Sequence, residues 1–98
     1  MVKLTVLYGH PTNPAAFEKY YAETHMQIAQ QMKVRIELAK AIAAPDGSKP
    51  KFYRTADVYF DDLDHVRRVL ASPEGQRTAA DLANFATGGV TLMVSEIQ

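Results

Sequence analysis

The sequence contains no cysteine. Disulfides, thiolate metal sites and cysteine nucleophiles are thereby excluded. Charge of one sign is also missing, because 11 lysines and arginines balance 11 aspartates and glutamates. A nucleic-acid binder needs a basic face to displace counterions, and a polybasic membrane anchor needs a similar excess. Neither is expected here. No apolar run approaches the roughly 18 residues of a membrane span. The stretch from Val2 to Leu7 is broken by Lys3 and Thr5 and is too short for a signal-peptide core. A cytoplasmic protein is the expectation. Glycine-rich phosphate loops and a Gly-x-Ser-x-Gly elbow are absent, and Gly88-Gly89 reads as a helix stop. The three histidines are not paired at i, i+4, so no metal site is expected. No cofactor is expected either. A haem would need one axial histidine, which His25 could supply, but a lone histidine is a weak signal.

The 98 residues suffice for one domain, 1–98. A domain this small buries only about two thirds of its unfolded surface, which favours pairing with a second copy. Val2 to Tyr8 reads as a strand with Val2, Leu4, Val6 and Tyr8 on one face. Asn13-Pro14 reads as a helix start. The helix is predicted to run to about Gln31, with Phe17, Tyr20, Tyr21, Thr24, His25, Ile28 and Met32 inward and Met26 opposite. Val34 to Ala43 and Phe52 to Phe60 read as strands two and three, forming a hairpin across the Asp46-Gly47 turn. Asp61-Asp62 caps a helix over Leu63 to Ala71. Ser72-Pro73 opens another with Ala79, Leu82, Ala83 and Phe85 inward, and Val90 to Ile97 is the last strand. Right-handed crossovers then give an α+β, ferredoxin-like βαββαβ sandwich, a four-stranded antiparallel sheet with helices on one face. The other face carries Lys3, Thr5, Leu7, Tyr59, Thr91 and Met93. No chain remains to cover it, so a homodimer through the sheet face is expected.

His25 is the main candidate for chemistry, one helical turn after Tyr21 on the inward face and able to exchange a proton near neutral pH. A structural histidine bonded to a carbonyl or tyrosine hydroxyl is the competing reading. Tyr20 or Tyr21 could hold His25 or donate to a ligand oxygen. Tyr8 and His10 lie where the first strand ends, a common place for ligand contacts, although His10 reads first as an exposed turn histidine before proline. Arg54 shares the strand face of Ala56 and Val58; turned inward it needs either a carboxylate or an anionic ligand oxygen, and the competing reading is a strand-end arginine whose head reaches water. His65 reads as a solvated histidine in a helix turn and is given no role.

These residues fall into a familiar pattern. Leu4-Thr5-Val6-Leu7-Tyr8 with its Pro-containing loop, Phe17-Glu18-Lys19-Tyr20-Tyr21-Ala22-Glu23-Thr24-His25-Met26, Ala56-Asp57-Val58-Tyr59-Phe60-Asp61-Asp62-Leu63 and Asp81-Leu82-Ala83-Asn84-Phe85 together resemble the EthD family of the dimeric α/β-barrel superfamily. Gln27 stands where that family usually has proline, which predicts a more continuous helix. The resemblance implies a homodimer whose two sheets form a barrel, with a pocket in each subunit lined by the first helix. It also implies relatives among polyketide cyclases, cofactor-free quinone-forming monooxygenases, muconolactone isomerases and haem peroxidases. The namesake belongs to an ethyl tert-butyl ether degradation operon. The expected function is a cofactor-free oxidoreductase, isomerase or cyclase acting on a small apolar molecule with a carbonyl or phenolic oxygen. In that reading His25 is the acid or base, and Tyr8, His10, Tyr20, Tyr21 and Arg54 contact the substrate. The alternative is a non-catalytic ligand-binding or accessory protein of a catabolic operon.

Overall fold

The alternation of apolar residues in the first and third strands decides the sheet. In the computed structural model, which describes residues 1–98, β1 (Val2–Tyr8) lies beside β3 (Arg54–Phe60), with β2 (Ile36–Lys40) and β4 (Val90–Glu96) on the flanks. The order is β2-β3-β1-β4 and every pairing is antiparallel. This is the ferredoxin-like sandwich. Leu4 faces Val58 and Val6 faces Ala56, so the apolar sets of β1 and β3 share one face. Helices cover that face. α1 (Pro14–Tyr20) leads through a wider π-helical turn (Tyr21–His25) into α2 (Met26–Gln30). α3 (Leu63–Ala71) and α4 (Pro73–Asp81) follow β3, and a short 3₁₀ turn (Leu82–Asn84) ends α4.

The caps follow from the sequence. The Asn13 side chain accepts from the Ala16 N–H, Asp62 from His65 N–H and Ser72 from Gly75 N–H. Strand two is shorter than the expected Val34 to Ala43. Lys33 ends the helix in the left-handed region at φ 56°, and beyond Ala41, whose N–H still donates to the Tyr53 carbonyl, the chain leaves its ladder for a turn closed between Ala44 and Ser48. Strand three starts at Arg54 rather than Phe52. Gly88 packs its backbone against Gly9 and His10 so closely that a Cβ would collide with them. The pair therefore sets how β4 enters beside the end of β1.

The first helix is continuous to Gln30, but not as an α-helix throughout. At about 100° per residue, an α-helix would align Ile28 with Phe17 and turn Met26 away. The π turn adds one residue to the cycle and slips the phase by that amount. Phe17, Tyr21, His25 and Ala29 are consequently the buried positions, Ile28 is only half-buried, and Met26 packs against the core. The expected places of Ile28 and Met26 are corrected by this slip.

The core forms two clusters. Val6, Tyr8, Phe17, Tyr21, Ala56 and Phe85 make an aromatic one, and Val58, Phe60 and Val66 a smaller one. No helix is long and apolar enough to cross a membrane.

Candidate functional site

His25 lies inside the aromatic cluster, 4 % exposed. Its ring stacks on Tyr21 at 5.7 Å and touches Phe85 at 4.5 Å. Nδ1 meets Asp81 Oδ2 at 2.8 Å. The carboxylate is itself held from behind: Tyr20 Oη donates to Oδ1 at 2.6 Å and Asn84 Nδ2 donates to the same oxygen at 2.9 Å. An ionised carboxylate accepts only, so Asp81 fixes the His25 proton on Nδ1. Nε2 makes no hydrogen bond within the chain and is left as a basic lone pair.

Beside it is a cavity of about 170 Å³. Its walls are almost wholly apolar, contributed by Leu4, Val6, Met26, Ala29, Val58 and Leu82 among others. Tyr8, Tyr21 and His25 line it too. The Tyr21 hydroxyl is buried and makes no hydrogen bond of normal geometry, its polar neighbour being the Tyr8 hydroxyl. Burial and the neighbouring Tyr21 push the Tyr8 hydroxyl well above the usual phenol range, and burial also raises Tyr21. Both hydroxyls are therefore held as neutral donors. A cavity this small admits about one ring, since one of roughly 150 Å³ takes benzene. It leaves no room for a haem macrocycle on His25. No three histidine, aspartate or glutamate side chains converge on a metal position.

The other sequence candidates lie outside the cavity wall. Tyr20 is spent on Asp81. His10 Nε2 sits 2.7 Å from the Pro50 carbonyl oxygen with Tyr53 edge-on to its ring. Arg54 takes the carboxylate option, reaching Glu18 through Nη2 at 2.6 Å and Nε at 3.3 Å. Its guanidinium lies 4.9 Å from the centre of the Tyr21 ring, and its charge also acts on the Tyr8 hydroxyl, so it reaches the cavity through the two tyrosines. Burial alone would raise the Glu18 carboxyl, but Arg54 and then Lys40 outweigh it and hold it low. His65 is half-buried against Phe60 and accepts the Asp61 N–H through Nδ1, so it is less solvated than expected.

The match to known proteins settles the family. The EthD domain model fits residues 9–89. The chain belongs to the EthD family. An uncharacterized 11.0 kDa protein in the thcB-thcC intergenic region of Rhodococcus erythropolis is 40 % identical over 97 residues, which are 98 % of this chain and 94 % of that one. The crystal structure of an EthD family protein from Bacillus halodurans superposes with a TM-score of 0.93 at 30 % identity, covering 100 % of this chain and 99 % of the other. SnoaB, a cofactor-independent oxygenase from Streptomyces nogalater, shares the fold with a TM-score of 0.64 at 22 % identity, over 99 % of this chain and 91 % of its own.

In this EthD domain the residue that sequence reasoning missed is Asp81. It appeared only inside the resemblance motif. Its signal was a carboxylate one helical turn before Phe85, on a face otherwise read as apolar. Burial would raise its pKa, but the donors Tyr20, Asn84 and His25 together outweigh burial and hold it below 3.8. For His25 burial dominates and lowers the pKa from 6.5, while Asp81 opposes only in part. The imidazole is thus neutral at pH 7.

A pH dependence follows. The unfolded chain takes up the His25 proton near 6.5 while the folded one does so only at lower pH. The stability that His25 contributes is complete above 6.5 and falls as pH drops through the depressed folded value. Urea midpoints measured from pH 7.5 to 5 are expected to decline across that window. The decline should be shallower in His25→Gln; an unchanged slope in the variant would rule out the assignment.

Proposed function

We propose that this EthD protein is a cofactor-free acid–base catalyst for a small apolar molecule bearing a carbonyl or phenolic oxygen. The carrying observation is the His25–Asp81 pair, whose free Nε2 belongs to a side chain lining an otherwise apolar cavity. Nε2 takes an acidic O–H or C–H proton from the ligand, and the imidazolium so formed is stabilised by Asp81 through Nδ1–H. The electron pair left behind resides on the ligand oxygen as a phenolate or enolate. The unpartnered Tyr21 hydroxyl, with Tyr8 beside it, supplies donors to that oxygen. The Arg54 guanidinium over the Tyr21 ring favours the build-up of negative charge there. Return of the proton to a different atom gives isomerisation, and attack of the carbanion on a carbonyl gives cyclisation. Its reaction with dioxygen is the oxidoreductase variant, for which the shared fold of a cofactor-independent oxygenase is support of the broadest kind.

The test is a screen of phenolic and lactone substrates with His25→Ala beside the wild type. Loss of about 10²–10⁴-fold in turnover is expected. Unchanged turnover removes His25 from the chemistry. A ligand that binds without turnover, next to a histidine that never titrates, would instead establish a binding protein.

We also propose a homodimer through the open face of the sheet. Leu7 and Tyr59 are half-buried there and Met93 is exposed, around a polar centre in which Asp57 accepts from Thr5 at 2.6 Å and meets Lys3 at 3.6 Å. Pairing would cover the apolar part without stranding the polar one. Sedimentation equilibrium is expected to give twice the chain mass; a monomer at every concentration would exclude the dimer.

A further inference from the structure

The cavity has a deep end and an open end. Tyr8, Tyr21 and His25 are walls and are buried, whereas Leu70, Ala79 and Leu92 are walls and exposed. Residues that both line the cavity and meet solvent mark its mouth. The apolar surface does not stop there. Residues two apart on a strand share a face, so Leu92 continues into Val90 and Val94, opposite Tyr8, Val6 and Leu4 of β1 in register. The helices leave this side of β4 uncovered: Val90, Leu92 and Val94 are 36 %, 52 % and 44 % exposed. No charged residue interrupts the stripe between Val90 and Val94. A cavity of about 170 Å³ takes roughly one ring. Any larger ligand must extend through the mouth, and the surface it meets there is aliphatic.

We infer that the ligand is an amphiphile. Its head, about one ring carrying the ionisable oxygen, sits at His25. Its apolar tail leaves between Leu70, Ala79 and Leu92 and lies along Val90 and Val94. This rests on the reading of His25 as the group that meets the ligand oxygen.

The test titrates the full chain with phenol, 4-propylphenol and 4-heptylphenol, following the His25 imidazole and the methyl groups of Val90, Leu92 and Val94 by NMR. All three probes are expected to move the His25 signals. A partly covered methylene should tighten binding about two- to threefold, so heptyl should bind about tenfold or more tighter than propyl. The Val90 and Val94 methyls should respond to the heptyl compound only, and Val94→Ser should shrink the heptyl-over-propyl advantage. Equal Kd for propyl and heptyl, with His25 still responding, overturns the tail and leaves the acid–base reading standing. A tail response with a silent His25 removes the acid–base reading and keeps the stripe. Val90 and Val94 methyls that move on dilution but not on ligand addition overturn the inference, because a second copy then covers the stripe. No binding by any probe overturns both.

Discussion

Asp81→Asn is expected to cost about 10³–10⁴-fold in turnover while the fold survives. In the wild type, Tyr20 Oη and Asn84 Nδ2 occupy Oδ1. The second oxygen is therefore the one that receives His25 Nδ1–H. An asparagine in the same place keeps its oxygen toward those two donors, and its amide nitrogen then faces Nδ1. An amide nitrogen donates, so the imidazole must accept at Nδ1 and carry its proton on Nε2. The base is lost by tautomerisation rather than by displacement. The magnitude is taken from the equivalent change in the serine protease triad, where the wrong tautomer has that effect. Nitrogen chemical shifts of the His25 ring read the tautomer directly and need no substrate. A wild-type-like shift pattern in the variant, with Nε2 unprotonated, would contradict the assignment. Tyr20 and Asn84 are positioning residues in this scheme, since they fix which Asp81 oxygen is free.

Phe85→Ala is expected to be the most damaging single change to stability, at about 3–5 kcal/mol. The ring is buried and lies within 4.5 Å of His25, 5.1 Å of Phe17, 5.4 Å of Tyr20, 5.7 Å of Tyr21 and 5.8 Å of Tyr8, centre to centre. Truncation removes five aromatic contacts at once and opens a void next to the cavity already present. The surrounding rings come from β1 and the first helix, so they cannot collapse inward without moving the sheet. In a domain of this size the melting temperature should fall by roughly 15–30 °C. Thermal unfolding followed by near-ultraviolet circular dichroism measures it, and a fall under about 5 °C would show that the cluster repacks.

The frame was readable because the strong signals were local. The period-two pattern of β1 and β3 and the caps at Asn13, Asp62 and Ser72 each depend on a few adjacent residues. The ends of β2 were not readable, because pairing with β3, not propensity, decides where it stops. Tyr8, Tyr21 and His25 were legible as inward-facing polar tips on apolar elements, and all three line the cavity. The fate of Arg54 was open on sequence, and the distant Glu18 closed it. Tyr20 was expected either to hold His25 or to meet a ligand oxygen, and its hydroxyl donates to Asp81, 61 residues away in the chain. That pairing joins two helices across the fold, and no local pattern in either segment encodes it.

The π turn in the first helix has a thermodynamic side. Had the helix kept an α phase, the larger Ile28 would stand where Ala29 now lines the cavity. The wider turn thus substitutes a methyl for a butyl group at the wall and preserves a cavity of about 170 Å³. The wall atoms that Ile28 would have met across this space are left without those contacts. A guest that fills it recovers much of that deficit, so the protein holds part of its ligand affinity as unrealised cohesion of its own core.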